Sequence, residues 1–103
     1  MRIRAAVLHQ MSLPMPYAQS QPMRIEQVDL APPGAGEVLV KIRAAGLCHS
    51  DLSTINGDRP RQLPMVLGHE ASGEVVELGA GVNDLNIGDH VVMIFAATCG
   101  HCL

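Results

Sequence analysis

A mainly β fold, a small barrel or sandwich carrying only short helices, is what this 103-residue sequence predicts from three features. β-Branched and aliphatic residues gather in short runs. Gly/Pro clusters interrupt those runs at close intervals. Only one stretch has helical character. Arg2 to His9 reads as a first strand. Gln10 to Pro22 reads as a long surface loop, because Pro14, Pro16 and Pro22 exclude regular structure across most of it. Met23 to Leu30 reads as a second strand, closed by Pro32-Pro33-Gly34. Glu37 to Ala45 is the clearest strand, with Val38, Val40, Ile42 and Ala44 on one face and Lys41 and Arg43 on the other. A short helical turn follows over His49 to Ile55, its N-terminus favoured by Ser and Asp residues. Asn56-Gly57-Asp58 breaks it, and Pro60 to Pro64 keep the chain irregular. Ala71 to Leu78 and Asp89 to Ala96 are two further β-rich runs, punctuated by Gly79-Ala80-Gly81 and Asn86-Ile87-Gly88.

Length bounds the chain at one domain. An apolar content of 48% suits a packed interior rather than disorder. That interior is aliphatic, since Tyr17 and Phe95 are the only aromatics. A formal net charge of −3 without any Lys/Arg cluster argues against nucleic acid as a partner. No segment is long and apolar enough to span a membrane as a helix. Met1 to Leu8 resembles a signal-peptide start, but His9 and Gln10 end the apolar run too early. Three cysteines, two of them three positions apart, do not form a secreted disulfide framework. They fit metal-binding thiols in a reducing cytoplasm better.

Two islands carry the chemistry. Gly46-Leu47-Cys48-His49-Ser50-Asp51 offers a thiolate sulfur at Cys48. Gly68-His69-Glu70 offers an imidazole nitrogen at His69, twenty-one residues past Cys48. Sulfur and imidazole donors are what an open, catalytic zinc site prefers. Asp51 and Glu70 are carboxylates placed to hold those donors in position. Cys99-Gly100-His101-Cys102 has the Cys-x-x-Cys spacing of half a four-ligand structural zinc site, and the second half does not follow before Leu103. Taken alone, Cys48 would more often be an inert core thiol. A serine at a helix start, such as Ser50, is also a common N-cap. Glu74 and Glu77 read as solvated strand positions, and Asp89 as a turn residue. His9, His90 and His101 carry no motif.

With these elements in hand, the chain resembles the N-terminal, GroES-like catalytic domain of zinc-dependent medium-chain alcohol dehydrogenases. The resemblance rests on an ordered series: Pro33-Gly34-x-Gly36-Glu37-Val38-Leu39-Val40, then the Cys48 island, then Gly68-His69-Glu70 with Ser72-Gly73-x-Val75. Gly79-x-Gly81-Val82, Gly88-Asp89-x-Val91 and Cys99-Gly100-x-Cys102 complete it. It implies a GroES-like, partly open β-barrel that is one part of an α/β two-domain enzyme. Residues 1–103 would then be that catalytic domain, truncated at the start of the structural zinc lobe. The Rossmann domain is absent, as no G-x-G-x-x-G follows a strand.

The resemblance further implies that Cys48 and His69 are catalytic zinc ligands and that Glu70 can approach the metal as an alternative ligand. Asp51 would hydrogen-bond His69 and set its tautomer. Ser50 matches the hydroxyl that contacts the substrate oxygen and begins proton removal. His49 matches a contact to the cofactor pyrophosphate. Cys99 and Cys102 match the first two ligands of the structural zinc. Several members end the proton relay in a histidine five residues after the zinc cysteine, where this chain has Ser53. The implied activity is oxidation of an alcohol to an aldehyde or ketone, reversibly, by hydride transfer to NAD or NADP in a dimeric or tetrameric cytoplasmic enzyme, with the fragment alone inactive. Two other readings compete. One is a non-catalytic GroES-like scaffold, which needs neither Cys48, His69 nor the Cys99/Cys102 knuckle. The other is a thiol redox protein, which would place Cys99 at a helix start rather than after a strand.

Overall fold

The computed structural model describes residues 1–99, 101 and 102; Gly100 of the Cys99-x-x-Cys102 knuckle and the terminal Leu103 lie outside the described residues. Backbone contacts divide the chain into two compact units. One comprises Met1–Pro32 and Leu47–Gly68, the other Pro33–Gly46 and His69–Leu103. Each unit is built on one three-stranded sheet.

In the first unit, β1 (Arg2–Leu8) is the central strand. It pairs antiparallel with β2 (Met23–Asp29) on one side and with β4 (Met65–Val66) on the other. Val7 and Leu8 are consecutive in β1, so they face opposite sides of the sheet, and both are buried. The strand is therefore covered on both faces at this end. β4 is a strand that the sequence reading leaves irregular. Two residues after Pro64 carry no periodicity, and they become a strand only because Leu8 and Val7 are there to pair with Met65 and Val66.

The loop expected over Gln10 to Pro22 holds a single turn of helix, α1 (Tyr17–Ser20). Proline is tolerated before a helix, where its missing N–H is not needed, so Pro16 precedes α1 without disrupting it. Gln21 then ends the turn in a left-handed conformation, φ 46°, donating its N–H to the Tyr17 carbonyl. The same loop is tied to α2 (His49–Ile55), which spans the expected residues. The Ser12 N–H donates to Ile55 O at 2.9 Å, and its hydroxyl to Asn56 O at 3.1 Å. Two of the orphan carbonyls at the end of α2 are thereby satisfied.

In the second unit, β5 (Ala71–Leu78) lies between β3 (Val38–Ala45) and β6 (His90–Val92), all antiparallel. The predicted alternation along β3 fails past its midpoint, where Ile42 is 48% exposed beside the exposed Lys41 and Arg43. The pairing of β3 with β5 shifts register between Leu39 and Val40 and again between Ile42 and Ala44. Such an irregularity breaks the period of two that pattern reading assumes. β6 is also shorter than the expected run from Asp89 to Ala96. Met93 N–H reaches the carbonyl of Ala71, the first residue of β5, so the pairing ends where β5 begins. Asp89 holds the preceding turn as expected, its carboxylate accepting the Asn86 N–H at 2.9 Å. Val75 is the fully buried aliphatic of this sheet. Among the described residues no helix is long and apolar enough to cross a membrane.

The turn before β3 packs backbone to backbone against the end of β5. Gly36 N–H donates to Ala80 O, and Gly79 N–H to Glu37 O. A Cβ on Gly79 would fall on the Gly34 carbonyl oxygen and 2.7 Å from Glu37 O, neither of which can rotate away. Gly36 sits at φ 77° with open space around it. Gly79→Ala should therefore lower unfolding free energy by about 3 kcal/mol through overpacking, and Gly36→Ala by only about 1 kcal/mol through backbone strain, as measured by urea denaturation.

Candidate metal centre

Cys48 is the residue that starts α2. Its backbone is extended, φ −121° and ψ 144°, and its carbonyl accepts the Asp51 N–H at 3.1 Å, so it occupies the N-cap position. Ser50, two residues on, is therefore inside the helix rather than its cap. Its hydroxyl donates to Cys48 Sγ at 3.2 Å. The Ser50 carbonyl in turn accepts from the hydroxyl of Thr54, which is buried. Asp51 lies in the first turn of α2, where a negative charge suits the helix dipole. His49 is exposed, and the Ser53 hydroxyl stands 3.4 Å from its Nδ1 and 3.3 Å from its carbonyl oxygen. Ser53, which departs from the relay histidine, is thus a direct neighbour of the proposed cofactor contact.

His69 and Glu70 lie at the start of β5. The Gly46 N–H donates to the Glu70 carbonyl at 2.8 Å, which carries the β3–β5 ladder one step past the pair Ala45↔Ala71. Only Leu47 separates Gly46 from Cys48, so two peptide units limit their Cα separation to about 7 Å. One backbone hydrogen bond thus ties Gly46, the residue that opens the Cys48 island, to Glu70. The Phe95 ring meets His69 edge to face, with centroids 6.4 Å apart and planes at 71°. Sequence reading missed this neighbour. Its one signal was that Phe95 is the only phenylalanine in an aliphatic chain, yet it is 84% exposed rather than in the core.

Cys48, His69 and Glu70 each offer one ligand atom, a sulfur, an imidazole nitrogen and a carboxylate oxygen. That donor chemistry fits zinc, which takes S, N and O ligands in catalytic sites. At the other motif, the Cys99 and Cys102 sulfurs are 3.2 Å apart. The backbone N–H groups of His101 and Cys102 both point at Cys99 Sγ, at 3.4 and 3.3 Å. The His101 N–H, then the Cys102 thiol and N–H, lower the Cys99 thiol from 9.0 to about 7 by stabilising its thiolate. A fully exposed sulfur prepared in this way is a ready metal donor. Glu74 is held by Arg43 at 3.3 Å and Glu77 is exposed, consistent with solvated strand positions.

The profile described as "Alcohol dehydrogenase GroES-like domain" matches residues 34–103. Over 104 aligned residues the chain is 47% identical to an S-(hydroxymethyl)glutathione dehydrogenase of Synechocystis sp., covering 100% of this chain and 26% of that protein. Among solved structures, an alcohol dehydrogenase zinc-binding domain protein from Burkholderia ambifaria superposes with a TM-score of 0.85 at 40% identity, covering 99% of this chain and 25% of that one. A cobalt- and zinc-bound thermostable alcohol dehydrogenase from Pyrobaculum aerophilum gives 0.81 at 29% identity, covering 99% and 29%. The chain therefore spans about a quarter of the length of the curated relatives it matches.

Because the folded state favours the Cys99 thiolate, alkylation of metal-free protein by iodoacetamide should rise through pH about 7 at Cys99 rather than through 9.0, with peptide mapping as the readout. A midpoint near 9.0 would contradict the N–H···S geometry.

Proposed function

This chain belongs to the alcohol dehydrogenase GroES-like domain family, and on that footing we propose that it is the catalytic domain of a zinc-dependent alcohol dehydrogenase using NAD or NADP. The observation that carries the reading is the 2.8 Å bond from the Gly46 N–H to the Glu70 carbonyl, which joins the two ligand-bearing motifs. Zinc, when bound, would supply a Lewis acid able to acidify a hydroxyl, as it lowers the pKa of bound water to about 7.

The chain's own residues divide the work. Cys48 and His69 hold the metal, and Glu70 stands as an alternative oxygen donor. Asp51 hydrogen-bonds His69 and so selects the tautomer whose other nitrogen faces the metal. Ser50 relays the proton that leaves the substrate alcohol, giving up its own hydroxyl hydrogen toward solvent as it takes that one. Its own hydrogen lies toward Cys48 Sγ. Onward transfer then requires the hydroxyl to rotate away from the sulfur. His49, exposed beside Ser53, takes the cofactor pyrophosphate. Cys99 and Cys102 supply two ligands of a structural zinc. The substrate is a small alcohol or aldehyde, and the intact enzyme is a cytoplasmic dimer or tetramer.

In the intact protein, alcohol-dependent reduction of NAD or NADP should disappear on chelation and return with zinc. Cys48→Ser and His69→Ala should each cut kcat/KM by at least about 100-fold with loss of one equivalent of zinc by metal analysis. Activity indifferent to chelation would falsify the proposal.

A further inference from the structure

Gly46 sits directly across the ladder from Glu70. Its backbone is not in the left-handed region, so conformation gives no reason for a glycine there. Space does. A Cβ at this position would stand 3.1 Å from Glu70 Oε2 and 3.6 Å from Glu70 Cβ. Opposed Cβ atoms in antiparallel sheets are ordinarily about 4.5–5.5 Å apart. The 3.1 Å approach is also shorter than the roughly 3.3–3.6 Å of a favourable C–H···O contact. The Glu70 carboxylate thus lies over the place where any other residue would carry a side chain. Its surroundings are mostly small: Ala44, Ala45, Ala71 and Ser72, together with Val92, line the same shallow depression. Glu70 is exposed, so burial does not fix its carboxylate.

We propose that Gly46 is a positioning residue for Glu70: the absent side chain is the slot its carboxylate occupies, and this determines where that oxygen donor stands beside His69. The inference rests on the zinc-ligand reading given above. A methyl group at 46 displaces the carboxylate without touching Cys48 or His69 chemically.

The test is a double-mutant cycle in the intact protein. Zinc transfer to a chromogenic chelator is followed for the wild type, Gly46→Ala, Glu70→Ala and the double variant, counting the zinc that Cys48→Ser abolishes. Gly46→Ala should speed release by about tenfold, the scale on which residues supporting a metal ligand act. The double variant should release no faster than Glu70→Ala alone, because the methyl then has no carboxylate to displace. Multiplying effects in the double variant would overturn the proposal. Should Gly46→Ala prove unstable, thermal melts of the metal-free proteins decide the matter. Recovery of stability on adding Glu70→Ala supports the clash, and no recovery overturns it. If Cys48→Ser and His69→Ala retain full zinc content, the zinc-ligand reading itself has failed. If they lose zinc while Gly46 and Glu70 act independently, only the present inference has.

Discussion

When β5 pairs antiparallel with β3 so that Ala71 lies opposite Ala45, the residues just outside the ladder on each strand are brought to the same end of it. On one side this is Gly46. On the other they are His69 and Glu70. The Gly46–Glu70 backbone bond is the last rung of that ladder. A different register would leave Glu70 opposite another residue, and the carboxylate would meet a Cβ instead of a gap. The sheet pairing is thus the constraint on which the placement of His69 and Glu70 depends.

Close backbone approach keeps that register. A Cβ on Gly73 would collide with the Lys41 carbonyl and come within 2.7 Å of Val40 Cγ1, so this pair of strands fits together only with glycine at that point. Two register irregularities bend β3 along its length. They also explain why the hydrophobic stripe of β3 ends in exposed positions. The aliphatic interior is small, with Val7 and Leu8 buried in one unit and Val75 in the other among the described residues. Backbone hydrogen bonds and tight turns therefore take a large share in specifying the fold.

α2 is secured at both ends by different means. Ser12 binds two carbonyls at its C-terminal end, and Cys48 begins its first turn. Between them Thr54 is buried, and its hydroxyl bonds to the Ser50 carbonyl. The helix that carries His49, Ser50 and Asp51 is thereby held by a loop far away in sequence. Its first turn places a hydroxyl on the Cys48 sulfur, a contact that links the proposed ligand to the proposed proton relay. The long proline-rich loop, read from sequence as a surface loop, is a structural support for this helix.

Much of this molecule was legible in its sequence. The strands β1, β2, β3 and β5 and helix α2 follow local periodicity and turn residues, and the family follows from the order of short motifs. Donor types at Cys48, His69, Cys99 and Cys102 are equally a property of the chain itself, because zinc chemistry depends on atom type before geometry. Other features depended on partners distant in sequence. β4 exists because β1 offers it an edge, and β6 stops where β5 does. Phe95 meets His69 through folding that no local pattern encodes. The hydrogen of Ser50 finds sulfur because the helix is capped at Cys48, two residues earlier than a Ser50 cap would need. Gly46 looked like a motif glycine, and its meaning as a gap for Glu70 appeared only across the ladder. Sequence determines which atoms are present and which local conformations they prefer; the tertiary fold decides which of them meet, because a hydrogen bond or a clash depends on ångström-scale distances that strand pairing alone sets.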